Sequence, residues 1–256
     1  MTAIFDLIGR MFIGVLEEIG QVGMIFFRTL YWTFRRPFRI GLLFRQLEFV
    51  GVQSTFIILL TAVFTGAVFS LQSSYAFSIF EANSMIGPTV VLALTRELGP
   101  VLTGLMVAGR VGSAMAAELG TMRVTEQIDA LETLAVDPVH YLVVPRMIAS
   151  MVMMPLLAAI FDFVGMIGSY IVTVKLLGIP AMSFREDTLY YVDFDDFYIG
   201  LIKAAFFGLA IAIISCYKGY YTSGGAEGVG RATTQSVVIS SVTVLVSDYF
   251  LTALMF

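Results

Sequence analysis

The residues in this sequence best placed to do chemistry are two adjacent opposite charges, Arg96 and Glu97, near the middle of the apolar segment 85–109. A charge at the centre of a membrane span costs about 2.5–3.5 kcal/mol, so it normally faces a helix bundle, a partner or a hydrated cavity. Pro100 cannot donate to the carbonyl of Arg96, which predicts a kink with a free backbone acceptor. The pair indicates either a polar station on a transport route or an ion pair that only fixes helix packing.

Three further charges fall inside apolar segments: Asp162, Lys203 and Asp248. Counted at about 1.5 Å of helix per residue, they lie at depths comparable to those of Arg96 and Glu97. Charges at one depth on separate spans predict a polar belt around a shared interior. We expect Lys203 to pair with Asp248, and Arg96 to pair with Glu97 or Asp162. These five residues are the predicted substrate pathway.

Groups for catalysis or metal binding are scarce. The chain has one cysteine, Cys216, and one histidine, His140, so an internal disulfide is excluded and a metal site is not expected. No Ser/His/Asp set can be assembled, and the acids are scattered over separate segments, so we expect no catalytic residues. A G-x-x-x-x-G-K-[ST] phosphate loop is missing from the sequence, and the glycines at 224, 225, 228 and 230 are predicted to form a flexible link. The chain is therefore expected to bind no cofactor, and any nucleotide energy must come from another polypeptide.

Composition sets the class of protein. Of the 256 residues, 58% are hydrophobic and 13% are charged, and the mean hydropathy is +0.90. That is more apolar surface than one soluble core can hide, so we predict an all-α integral membrane protein with a single domain over residues 1–256. The opening residues lack the basic start and unbroken apolar core of a cleavable signal peptide.

The elements that must position these charges are an interfacial helix and a set of membrane spans. Five spans are predicted, at residues 53–75, 85–109, 147–174, 197–217 and 235–256. Residues 1–45 are predicted to form an amphipathic interfacial region, ended by Pro37 and flanked by Tyr31 and Trp32 at the headgroup level. Its apolar side comprises Ile4, Leu7, Ile8, Met11, Phe12, Val15, Leu16, Ile19 and Val22, and its polar side comprises Asp6, Arg10, Glu17, Glu18 and Gln21.

The loop charges predict the orientation. With a cytoplasmic N-terminus, an odd number of spans puts the C-terminus in the periplasm, and the cytoplasmic segments then hold most of the cations, as the positive-inside rule requires. These cations are Arg10, Arg28, Arg35, Arg36, Arg39, Arg45, Arg110, Arg123, Arg146, Lys218 and Arg231. The opposite side keeps Arg185 among Glu186, Asp187, Asp193, Asp195 and Asp196.

The segment 109–146, between the second and third spans, carries a predicted surface helix. Small residues repeat four apart in its first part and let helices approach closely; they are Ala108, Gly109, Gly112, Ser113, Ala116 and Ala117. Residues 126–135 then alternate as a short amphipathic helix, ended by Asp137 and Pro138. One face holds Ile128, Leu131, Leu134 and Ala135, and the other holds Glu126, Asp129 and Glu132. An acidic edge of this kind suits docking of a soluble partner, although a helix that only connects two spans has the same pattern.

Two long stretches, residues 96–146 and 219–250, resemble the signature regions of the MlaE/YrbE family. The members of this family are permease subunits of MCE-type phospholipid ABC transporters. The two stretches cover about a third of the chain closely, and the arrangement of spans extends the likeness over nearly all of it. The first 45 residues match only in type, as a basic interfacial helix.

The resemblance implies a homodimeric permease in the bacterial inner membrane that moves phospholipids between the inner and outer membranes and so maintains lipid asymmetry. It implies ABC ATPase subunits that bind the ATP, a periplasmic ring of MCE-domain proteins and a small STAS-domain protein, with no nucleic-acid partner. Glu126, Asp129 and Glu132 would then lie on the helix that couples to the ATPase, and the mid-span charges would lie near a lipid cavity between two protomers.

Three other functions remain open on the residues alone. An ion- or proton-coupled transporter or channel would use the mid-span charges and would work without ATP. An intramembrane lipid enzyme would need a nucleophile and base or a clustered metal site. A structural anchor for a periplasmic assembly would tolerate loss of the mid-span charges.

Overall fold

The computed structural model describes the backbone of residues 2–36 and 39–255 and, within the first helix, the side chains from Ile13 on except that of Val15. Eight helices are described, and no strand occurs within these ranges. They are α1 Thr2–Thr33, α2 Ile40–Ser78, α3 Asn83–Val124, α4 Gln127–Thr133, α5 Val139–Leu176, α6 Ala181–Tyr191, α7 Phe194–Tyr220 and α8 Gly225–Met255.

Five of these helices, α2, α3, α5, α7 and α8, are long and apolar enough to cross a membrane, which confirms the predicted class and span count. Each predicted span lies inside one of them, except that residue 256 is outside the described residues. The helices extend beyond the predicted spans because their polar ends continue the helical hydrogen bonding past the apolar core. Pro37 and the side chains of residues 2–12 are also outside what is described, so the start of the predicted amphipathic pattern is not covered.

The bundle is organised around α5 and α7. Helix α5 packs between α2 and α7, and α7 also contacts α3 and α8. In the most apolar stretch of α7, 61% of the residues are buried, whereas the figure for α8 is 11%. Helix α8 therefore presents most of its surface outward, to lipid or to a partner.

Small residues set the closest helix contacts. A Cβ placed on Gly66 of α2 would lie 1.9 Å from the carbonyl oxygen of Gly165 of α5. One turn further on, the hydroxyl of Ser70 donates to that of Ser169 across 2.7 Å. In the predicted small-residue segment, the Ser236 hydroxyl of α8 donates to the carbonyl of Gly112 of α3 across 3.3 Å, so that segment packs within the chain. Direct backbone contact and interhelical hydrogen bonds are the usual means of helix association in membranes.

Several spans contain a π-helical turn. The turn at Leu94–Leu98 contains Arg96 and Glu97 and comes directly before Pro100. Such turns leave backbone carbonyls without their usual helical donors and are frequent at functional sites. The predicted distortion of α3 at the charged pair is therefore present.

The Gly66 contact predicts a stability effect. Gly66→Ala should lower the free energy of unfolding by about 1–3 kcal/mol, because the new methyl group must push two backbones apart. Gly109→Ala is the matched control, since a Cβ there meets no atom within 4 Å. Thermal unfolding of the purified variants in detergent measures both. An unfolding midpoint for Gly66→Ala equal to that of Gly109→Ala would show that α2 and α5 do not meet at this point.

Candidate functional site

The ammonium group of Lys203 lies at the centre of a polar cluster inside the bundle. The side chain projects from α7 and is completely buried. Its Nζ lies 2.9 Å from Glu97 Oε2 and 3.2 Å from Asp248 Oδ1, and it also donates to the Thr252 hydroxyl at 2.7 Å. Helices α3, α7 and α8 thus meet at one cation. The predicted Lys203–Asp248 pair is confirmed.

The backbone of α3 contributes a fourth acceptor. Lys203 Nζ lies 3.0 Å from the carbonyl oxygen of Arg96. This is the carbonyl that Pro100 leaves without a helical donor, so the free acceptor predicted from the sequence is present and is used by a side chain of another helix.

Arg96 itself forms a second ion pair. Its Nε donates to Asp196 Oδ1 across 2.7 Å, and Asp196 is buried. The predicted pairing of Arg96 with Glu97 or Asp162 is therefore wrong. Adjacent residues of a helix point in different directions, so Arg96 and Glu97 reach different neighbours. Asp196 was assigned to an outer loop, but α7 begins at Phe194 and carries it in the first turn.

One face of α7 brings both ion pairs together. Asp196, Gly200 and Lys203 follow one another at helical spacing on that face. A Cβ on Gly200 would lie 2.0 Å from the carbonyl oxygen of Thr95, so α3 and α7 touch between the two pairs. This spacing is visible in the sequence and could have identified Asp196 as the partner of Arg96.

Asp162 is separate from this cluster. It is buried, and its Oδ1 has no hydrogen-bond partner among the described residues. The carboxylate lies against the backbone of α3, where a Cβ on Gly99 would be 1.9 Å from Oδ1. The five predicted residues therefore form a three-helix cluster, a second ion pair and an isolated buried acid rather than one continuous belt.

The cluster opens on its acidic side. The Glu97 side chain is 36% exposed and that of Asp248 is 19% exposed, whereas Lys203 is fully buried. Next to Glu97, Leu98 lines an apolar cleft of about 380 Å³ with residues of α2. They are Phe64, Thr65, Val68, Phe69 and Gln72. Polar and apolar surfaces therefore adjoin each other within the spanning part of the chain.

The predicted surface helix is present as α4, Gln127–Thr133, and is shorter than predicted. Glu126 and Ala135 flank it with φ of 59° and 58°, which ends regular helix on both sides. Ile128 is buried as expected, but Leu134 lies beyond the helix end and is 73% exposed.

Asp137 does not end α4, as the sequence reading proposed. Its Oδ1 instead accepts from the backbone N–H of Val139 at 2.9 Å and of His140 at 3.3 Å, and so caps the start of α5.

The acidic edge of α4 is partly engaged within the chain. Asp129 pairs with Arg123, and the Tyr220 hydroxyl donates to Glu132 at 3.3 Å. Glu126 is exposed. The three acids therefore share a surface, but they differ in how free they are to meet a partner.

Helix α1 docks on the same end of the bundle, which the sequence reading missed. Arg28 donates to Asp137 across 2.7 Å, and this hydrogen bond raises the pKa of the Arg28 guanidinium. The ring of Trp32 stacks on that of His140 with centroids 5.1 Å apart. The Tyr217 hydroxyl donates to Gln21 at 2.7 Å. The polar side of α1 thus faces the protein, and apolar residues such as Ile19 are exposed on the other side.

Among the described residues, no group of three or more His, Cys, Asp or Glu side chains could hold a metal ion.

A family model described as Permease MlaE matches residues 43–254. Curated relatives include a probable ABC transporter permease protein of Rickettsia felis, 48% identical over 249 residues, which are 97% of this chain and 96% of the relative. The intermembrane phospholipid transport system permease protein MlaE of Haemophilus influenzae is 39% identical over 250 residues, again 97% and 96% of the two chains. With the family model and full-length relatives in agreement, this chain belongs to the MlaE permease family.

Proposed function

We propose that the chain is the membrane-spanning permease subunit of an ATP-driven ABC transporter that moves phospholipids between the inner and outer membranes. The observation that carries the proposal is the Lys203 cluster beside an apolar cleft, in a member of this family. A phospholipid has a charged headgroup and apolar chains, and it needs both kinds of surface next to each other. Glu97 and Asp248 offer carboxylates to the headgroup, and the cleft at Leu98 accommodates the chains.

A homodimer is the assembly we propose. An odd number of spans cannot be divided into two inverted repeats, so a symmetric pathway is more simply built between two copies. The low burial of α8 supports this arrangement. In such a dimer, Arg96, Glu97, Lys203 and Asp248 would lie near the lipid route, while Asp162, buried against Gly99, would contribute through packing.

The ATPase would bind at α4. This helix is joined to α1 and α7 by side-chain contacts, so force applied to it reaches the spans directly. Glu126, Asp129 and Glu132 are exposed there and would contact cations of the partner. We further propose an inner-membrane location with a cytoplasmic N-terminus, and the MCE-domain ring and the small STAS-domain protein as additional partners. ATP would be bound and hydrolysed on the separate ATPase chain.

The first prediction concerns the Lys203 cluster. Glu97→Gln and Asp248→Asn keep the side-chain shapes but remove charges that a headgroup would meet, so we expect phospholipid transfer to fall at least tenfold, equivalent to about 1.4 kcal/mol. Transfer is measured from liposomes that contain the whole complex and ATP. Asp195→Asn is the matched control, because Asp195 is exposed at the start of α7.

Normal transfer by both cluster variants would reduce the cluster to a structural brace. Transfer that proceeds without ATP and follows a proton gradient would instead favour an ion- or proton-coupled transporter or channel.

The second prediction concerns α4. Glu126→Lys combined with Glu132→Lys should weaken ATPase binding and uncouple ATP hydrolysis from lipid transfer, because the reversed charges repel a basic partner. Copurification of the ATPase and the number of lipids moved per ATP are the two measurements. Glu227→Lys is the control, since Glu227 is exposed at the start of α8. If the double variant keeps wild-type coupling, the acidic edge is not the docking surface.

A further inference from the structure

A second polar cavity lies far along the chain from the Lys203 cluster, where the first turns of α2 and α5 meet the last turns of α3. Its volume is about 170 Å³. Its polar walls come from Arg45 and Gln46 of α2, Glu118 of α3, and Tyr141 and Arg146 of α5. None of these residues belongs to the predicted pathway or to the acidic edge of α4.

Arg146 has hydrogen-bonding capacity left over in this cavity. The residue is 3% exposed. Its guanidinium pairs with Glu118 at 2.8 Å and donates to the carbonyl of Leu142 at 2.7 Å, but its Nε has no partner. Gln46 Oε1 is also buried without a partner, and turning this amide over would present its NH₂ group instead. Buried polar groups without partners are rare, and each indicates a missing ligand or water.

The charge around the cavity favours an anion. No ion pair of Arg45 occurs among the described residues, and the guanidinium of Arg39 stands 4.4 Å over the ring of Tyr141. Three arginines therefore surround the cavity, against the single carboxylate of Glu118. Arginine binds phosphate with paired N–H donors, so a phosphate group is the ligand that matches this donor set.

The flanks of the cavity favour a lipid over a free anion. On α2, Ile40 and Phe44 are exposed beside Arg45, where acyl chains would run along the helix. Trp32 packs on His140 close by, and aromatic side chains of this kind lie at the level of lipid headgroups. The cavity is thus at headgroup depth, with apolar surface leading away from it.

We propose that this cavity binds the phosphate of a phospholipid in the adjacent leaflet, at a site separate from the Lys203 cluster. In the proposed orientation this is the cytoplasmic leaflet. The bound phosphate completes the hydrogen bonding of Arg146 and joins α2, α3 and α5 next to the segment that leads from α4 into α5. The lipid is therefore a structural and regulatory ligand rather than the transported one.

The test uses the full chain alone in phosphatidylcholine nanodiscs, with and without phosphatidylglycerol, and measures retained lipid by native mass spectrometry. Arg45→Gln combined with Gln46→Leu should lower retention of phosphatidylglycerol about tenfold, since each charge-assisted hydrogen bond contributes strongly. Arg231→Gln is the control for loss of one cation, because Arg231 is exposed outside the cavity. Asp248→Asn should also retain the lipid, which separates this site from the transport route.

A gain-of-function variant guards against misfolding as an explanation. Glu118→Gln removes the one carboxylate that competes with phosphate for Arg146, so retention should rise. Unchanged retention in both the Arg45/Gln46 variant and Glu118→Gln would overturn the proposal, leaving a cavity filled by water. Inorganic phosphate that binds at millimolar concentration and displaces the lipid would overturn the lipid assignment in favour of a free anion.

Discussion

The membrane core of this protein depends on one buried cation. Removing an ammonium group from water costs several kcal/mol even after relaxation, and the cost is recovered only when its surroundings supply charges and acceptors with good geometry. Around Lys203 these come from a carboxylate of α3, a carboxylate and a hydroxyl of α8, and a backbone carbonyl that Pro100 has left free. Any movement of α3 or α8 relative to α7 changes how well this charge is satisfied.

The close contact at Gly200 makes that dependence strict. Because the backbones of α3 and α7 touch there, the ion pair of Arg96 with Asp196 and the cluster at Lys203 lie on either side of a rigid crossing. The two polar sites are therefore coupled mechanically, although they share no side chain. A transport cycle that rearranges the acidic, partly exposed side of the cluster would have to act mainly through α8, the least buried of the spans.

At the other end of the bundle, polar contacts tie surface elements to the spans. Helix α1 bonds to the segment that opens α5 through Arg28 and to the end of α7 through Gln21, and α4 reaches α7 through Glu132 and Tyr220. The interfacial helix and the surface helix are thus parts of one unit. A force on α4 would be shared between α5 and α7 rather than carried by a single connection.

The sequence by itself determined the membrane class, the number of spans, the free carbonyl at Arg96 and the pairing of Lys203 with Asp248. These follow from apolar length, from the chemistry of proline and from the cost of an unpaired charge in a bilayer, all of which are local or compositional. Only the tertiary structure decided that Arg96 meets Asp196, that Thr252 joins the cluster, that Asp162 stands alone and that α1 docks beside α4. Those contacts depend on how each helix is rotated about its axis and on which neighbour stands opposite, and both are set by close packing at residues such as Gly66 and Gly200.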